Sequence, residues 1–382
     1  MPNMPMIKAL PALSRVICAL RRKSRKYTTV GLTAVLMAAL LAACSPLYVM
    51  RAAYEEGKIL WRREPIANFI QRSDIASETQ EKLRLVLATR DYARDQLKFN
   101  VGGSYASFSY VDRPDLTYVV LAAPKTELRP YTWWFLIVGS VPYKGFFSKK
   151  DAEGEIERLK AAGYDTALRT SAAFSTLGWF DDPLLSHLLK YDKVLLSEII
   201  FHELFHNTLY IKGAGAFNES SANFVGHRAA IDFFRERFGA GSPEHQRALG
   251  LWEEEQEFGA FIADVVRDLS ELYGRDITRD DKLRLREEVF ARSKVEWSRR
   301  VSDRPMHRFR GFGQQPLNNA VLMHYVVYLK DLGMFESLYQ ACGGNLRRTI
   351  DVMREVVTMK GEPFEAVRAW LDKARDRATA MR

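Results

Sequence analysis

Val194-Leu195-Leu196-Ser197-Glu198-Ile199-Ile200-Phe201-His202-Glu203-Leu204-Phe205-His206 is the stretch on which the reading of this chain turns. Eight mainly apolar residues lead straight into His-Glu-Leu-Phe-His, as a buried helix would. On a helix, positions i and i+4 lie one above the other. His202 and His206 therefore offer two imidazole nitrogens to one metal ion. Glu203 sits beside the first of them, where a carboxylate reaches a metal-bound water. Two ligands, a general base and an open coordination position make a metallohydrolase site. The plainer alternative is a buried amphipathic helix whose histidines are hydrogen-bonded core residues.

The downstream sequence adds weight. Lys212-Gly213-Ala214-Gly215 reads as a helix stop, and Phe217-Asn218-Glu219-Ser220 as the opening of a second helix with Asn218 as N-cap. Helices joined by so short a turn pack antiparallel, which brings Glu219 back as third ligand. His187, His227, His245, His307 and His324 are the competing donors. Glu219 is preferred because it opens its helix near the turn. Asn223, one turn further on, is placed to hold His202 or His206 in its metal-binding tautomer.

Residues 1–43 hold no acidic residue and seven basic ones, followed by an apolar stretch, Val30 to Leu41, and then Ala42-Ala43-Cys44. A basic start, a short apolar core and small residues before a cut describe a secretory signal. Twelve apolar residues fall short of the roughly 20 that a spanning helix needs. The cysteine at the cut makes it look like a lipoprotein signal, with Cys44 the acylated first residue; an ordinary cleaved signal or an uncleaved anchor is the alternative. The membrane is then reached through a lipid anchor, facing the periplasm. The long basic region allows the true start to be Met4 or Met6.

Charge and cysteines follow from this. The formal net charge of +9 drops to +2 without the seven basic residues of the segment. A pI near 9.3 would suggest nucleic acid, but most of that signal belongs to a discarded peptide. Cys18 lies in the signal and Cys44 carries lipid, so Cys342 is a single buried thiol with no disulfide partner.

Removing the first 43 of 382 residues leaves 339, enough for a large core. With 47% hydrophobic and 12% aromatic residues the chain is a packed globular protein. The pattern gives a helical segment over 44–98 and a mainly β segment over 99–181. A helical part carrying the motif follows over 182–382, and 44–382 as a whole forms one catalytic unit. The expected class is α+β, mainly helical, with a small antiparallel sheet beside a helical bundle. Ser171 to Trp179 is the candidate edge strand for an added substrate strand.

The chain also resembles a family: the predicted bacterial aminopeptidases, membrane-anchored lipoproteins of gluzincin type. Leu41-Ala42-Ala43-Cys44, Ile59-Leu60-Trp61-Arg62-Arg63-Glu64-Pro65-Ile66 and Val101-Gly102-Gly103-Ser104-Tyr105 carry the likeness. Phe174 to Leu184, Phe201 to His206, Phe217 to Ser220 and Leu317 to Ala320 continue it. Phe205 stands where Ala is usual, and Asn207 where Gln is usual. The resemblance implies a gluzincin-like fold, one Zn²⁺ per chain on His202, His206 and Glu219, and Glu203 as general base. It implies removal of N-terminal residues from peptide substrates in the cell envelope, at the outer membrane rather than the inner.

The residues themselves show only amide hydrolysis by a metal-activated water. Tyr210, His227, His324 and Tyr325 are candidates for the donor that steadies the oxyanion. Glu198, Asp181 and Asp182 are candidates, by position alone, for holding a free amine, although Asp181-Asp182-Pro183 also reads as a helix cap. Two other functions fit the pattern. One is a zinc endopeptidase acting on envelope proteins or wall peptides. The other is a non-catalytic lipid-anchored envelope factor.

Overall fold

Asp192 starts the helix that carries the motif. Its carboxylate accepts from the amides of Val194 and Leu195, both at 2.9 Å, two of the donors that a helix start leaves unpaired. The computed structural model describes residues 54–55, 57–112, 117–135, 139–171, 181–358 and 361–380. The signal-like segment, Cys44 and residues 172–180 lie outside these, and with them all but Ser171 of the expected edge strand. Glu56–Arg382 forms one compact unit.

In chain order the elements begin with β1 (Glu64–Pro65), the short α1 (Ile66–Phe69) and α2 (Ser77–Asp95). Then come β2 (Ser107–Ser109), β3 (Thr117–Pro124), β4 (Trp133–Phe135), β5 (Gly139–Val141) and β6 (Lys144–Phe146). Helix α3 (Lys149–Ala161), capped by Ser148, leads into β7 (Tyr164–Ser171) and β8 (Leu184–Leu185). The rest is helical: α4 (Lys193–His206), α5 (Gly215–Phe238), α6 (Pro243–Gly274) and α7 (Arg279–Arg300). Helices α8 (Asn319–Leu329), α9 (Leu332–Ala341), α10 (Leu346–Val356) and α11 (Pro363–Ala380) complete it. The protein is mainly helical with small sheets, an α+β fold.

The sheet component departs from a single antiparallel sheet. β3 lies between β6 and β7, both antiparallel to it, with the β7 register running from Thr117 opposite Ser171 to Pro124 opposite Tyr164. β4 and β5 form a separate antiparallel pair. β2 joins β1 antiparallel and β8 parallel. Pro130 and the Gly-Pro punctuation of 139–142 divide the β-rich segment, so it cannot close into one sheet.

Two contacts set α4 in place. Its apolar face, with Phe201, Leu204 and Phe205 fully buried, faces the core; each such side chain contributes about 1.5–3 kcal/mol. Phe205 packs on Phe99 at 5.6 Å between ring centroids, which is where the bulk of this residue goes. Against α5 the backbones come close at Gly226. A Cβ there would stand 3.0 Å from the Glu198 carbonyl and 3.3 Å from His202 Cβ. Glycine is required because α4 and α5 cross with no room for a side chain. Gly226 lies against the start of the motif and Glu219 against its end, so the two helices run antiparallel.

The turn between them corrects one expectation. Asn218 is not the N-cap: the helix begins at Gly215, with Ala214 as cap residue. The Asn218 amide instead accepts from Ile211 N–H at 2.9 Å and donates to Ile211 C=O at 2.8 Å. A side chain that satisfies both backbone groups of the turn closes it, so the helix starts one turn earlier. Asp181 and Asp182 do not cap a helix either. The Asp181 carboxylate accepts from Gly103 N–H at 2.6 Å, and Tyr105 N–H donates to the Asp182 carbonyl at 2.7 Å. They clamp the 101–105 loop, where Tyr105 is held buried at φ +58°.

Candidate metal centre

Antiparallel packing of α4 on α5 brings His202, His206 and Glu219 together. His202 Nε2 and His206 Nε2 are 3.2 Å apart, and Glu219 Oε2 is 3.4 and 3.6 Å from them. Among the described residues this is the group of His, Cys, Asp and Glu side chains that could hold a metal ion. The donor set fits zinc. Ligand bonds of about 2.1 Å in a tetrahedron put donor atoms about 3.4 Å apart, the spacing of this triangle.

The electrostatics belong to the cluster. Burial alone would raise the Glu219 carboxyl, but His206 and His202 outweigh it and hold the group well below the usual carboxylate range. Burial works against a charged His206, and Glu219 overrides that and raises it. His206 Nδ1 is buried without a hydrogen-bond partner, so its tautomer is decided at the Nε2 side. Glu203 is pushed up by burial, with the two histidines pulling the other way.

Two tyrosines that the sequence reading missed complete the surroundings. Tyr143, on the turn before β6, donates to Glu219 Oε1 at 3.3 Å, the oxygen turned away from the histidines. Gly215 permits this, because a Cβ there would meet Pro142 at 3.0 Å and drive the turn away. Tyr328, on α8, stacks against His202 with ring centroids 6.3 Å apart. Glu219 first, then burial, raises the Tyr143 phenol; burial first, then Glu219, raises that of Tyr328. Both remain neutral donors. Tyr328 was detectable as the residue one turn beyond His324; nothing near Tyr143 in the sequence pointed to Glu219, 76 residues away.

The other candidates are placed elsewhere. His227 lies in a second buried cluster, its Nδ1 3.3 Å from Glu198 Oε2 and its Nε2 3.7 Å from Glu255 Oε2. Arg308 ties both carboxylates, at 3.2 Å to Glu198 and 3.0 Å to Glu255. Glu198 is therefore committed one turn before His202 on the same face of α4. Asn223 does not orient the motif histidines, since its amide donates to Glu255 at 2.6 Å and to the Tyr328 carbonyl at 3.3 Å. A carboxylate buried beside it is the stronger acceptor.

His245 and His307 each accept a local backbone amide, and His187 sits in the turn Ser186–Lys190. Tyr325 accepts from Gln315 at 2.8 Å. Tyr210 is raised by burial and by Glu219, so it remains near the centre, and His324 lines a pocket next to it. Asn318 and Asn319 are structural. Asn318 caps α8, and Asn319 N–H donates to Asp165, which is paired with Arg286 at 2.8 Å. Cys342 is a buried free thiol.

A family model described as "Putative aminopeptidase" matches residues 47–366, and the chain belongs to that family. No curated protein and no solved structure matches the chain.

Proposed function

We propose that this protein is a zinc-dependent aminopeptidase of gluzincin type. The triangle of His202 Nε2, His206 Nε2 and Glu219 Oε2 carries the reading, and family membership supports a peptidase. When bound there, zinc supplies Lewis acidity toward the scissile carbonyl and lowers the pKa of a water toward about 7.

The chain's own residues do the rest. Glu203 accepts a proton from the attacking water and returns it to the leaving amine. Burial, by raising its carboxyl, suits it to hold that proton between the two steps. Tyr143 fixes the Glu219 carboxylate by holding Oε1, which leaves Oε2 facing the histidines. Arg90 donates to the Gly102 and Ser104 carbonyls and, with Asp181, pins the loop that places Tyr105 near Glu203.

The signal-like segment ending at Cys44 supports a lipid-anchored protein of the bacterial cell envelope, facing the periplasm at the outer membrane. No helix among the described residues is long and apolar enough to cross a membrane.

One observation favours a second reading, the endopeptidase. Glu198 and the Asp181 carboxylate are engaged in internal contacts and Asp182 is buried, so none stands ready for a substrate's free amine. The zinc-loaded protein should be offered free-amine and N-blocked peptides side by side. Cleavage confined to the first set supports the aminopeptidase, and cleavage of blocked peptides replaces it with the endopeptidase. Cleavage of neither, with zinc bound, would leave the envelope factor.

A further inference from the structure

Between β3 and α8 lies a pocket of about 250 Å³ counted out to its mouth, with an enclosed part that has room for about one water-sized body. We propose, building on the peptidase reading, that it receives a small aliphatic side chain of the substrate residue flanking the scissile bond.

Position is the first argument. Tyr143 and Tyr328 form part of the pocket wall, and the same Tyr143 hydroxyl lies 3.3 Å from Glu219 Oε1. The Tyr328 ring stands against both His202 and His324, at 6.3 and 5.1 Å between centroids. Pocket and metal centre therefore share a wall one aromatic ring thick. A peptide whose carbonyl reaches the centre has its neighbouring side chains within a few ångströms of that wall.

Composition is the second. Leu121 and Ala122 come from β3, Met323 and Val327 from α8, and Pro142 from the turn. A charged side chain there would lose its water and find no ion-pair partner. His324, the polar ring in this wall, stays neutral, because burial and then Arg169 push its imidazole down to about 4.

Size is the third argument. The enclosed space accepts a methyl group, leaves any further carbon in the open part and excludes a ring. Met323 gives the wall some adaptability, since an unbranched thioether repacks readily.

The test uses the full-length chain loaded with zinc. Two peptide series, one varied at the first residue and one at the second, carry Ala, 2-aminobutyrate, Val, Leu, Phe, Lys or Glu. Binding is measured by calorimetry in the Glu203→Gln background, and hydrolysis in the protein with Glu203 intact. In one series Ala and 2-aminobutyrate should bind at least about tenfold better than Phe, Lys and Glu. Met323→Ala should move the optimum toward Leu, and Ala320→Val should narrow it to Ala; either variant alone suffices if the other fails to fold.

A flat order in both series, or an order unchanged in the folded variants, overturns the pocket even if hydrolysis is seen. The expected order without hydrolysis keeps the pocket and removes the peptidase reading. Neither binding nor hydrolysis removes both.

Discussion

Helices α4 and α5 carry two clusters built from the same residue types, and the two have opposite chemistry. At one end of their interface His202, His206 and Glu219 turn two Nε2 atoms and one carboxylate oxygen to a common point. One turn further along the same interface, Glu198, His227 and Glu255 are closed by Arg308, whose guanidinium reaches both carboxylates. Among the described residues Glu219 has no arginine partner; its neighbours are the histidines and a tyrosine hydroxyl. A buried carboxylate with an arginine is a structural ion pair, whereas one facing two imidazoles has the donor set proposed above for a metal ion. Histidine and glutamate alone do not distinguish these cases. The charge balance of the neighbours does.

The largest effect tests whether the first cluster is chemical. Glu203→Gln should lower peptide hydrolysis by about 10²–10⁴-fold. Zinc content and thermal unfolding should stay unchanged, as checked by steady-state kinetics beside metal analysis. A parallel loss of zinc would mean Glu203 holds the site together instead of serving as base.

Arg308→Met should do the reverse, costing about 3 kcal/mol of stability while zinc affinity is retained, because two buried carboxylates lose their cation. The pH dependence gives the sign. Burial would raise Glu255, yet Arg308, His227 and Asn223 hold it down at about 2. A carboxyl depressed on folding contributes stability above its unfolded pKa of about 4.5, and that contribution is lost as pH falls toward 2. The gap between the two proteins in urea unfolding should therefore be widest at neutral pH and close between pH 4.5 and 2. A gap of constant size would make Arg308 a packing residue.

Gly226→Ala sits between the clusters and should cost about 1–3 kcal/mol, since the new Cβ meets backbone and not a flexible chain end. Its effect on zinc affinity reports how far His202 depends on the close approach of the helices. The smallest effect is that of Tyr143→Phe. It should weaken zinc about tenfold by freeing Glu219 Oε1, with the melting temperature of the metal-free protein unchanged.

The motif helix was readable because a single helix supplies both histidines and Glu203, and helical spacing alone places them. Glu219 followed from a short turn. The start of α5 did not, because an N-cap and a turn-closing Asn look alike until its partners, here both groups of Ile211, are known. Asn223 was misplaced for a related reason. Its partner Glu255 comes from α6, 32 residues away, and no local pattern announces it. The single antiparallel sheet became three small ones, since strand propensity gives strands and not their partners. Gly226 was visible as a lone glycine in a helical run, but what it accommodates appears only once α4 and α5 are packed.

The most direct test of the contrast between the clusters is zinc bound per folded chain, by metal analysis after dialysis, in three proteins. The intact chain should hold one zinc, Glu219→Ala none, and His227→Gln one. Zinc retained by Glu219→Ala, or lost from a folded His227→Gln, would contradict the assignment of the two clusters.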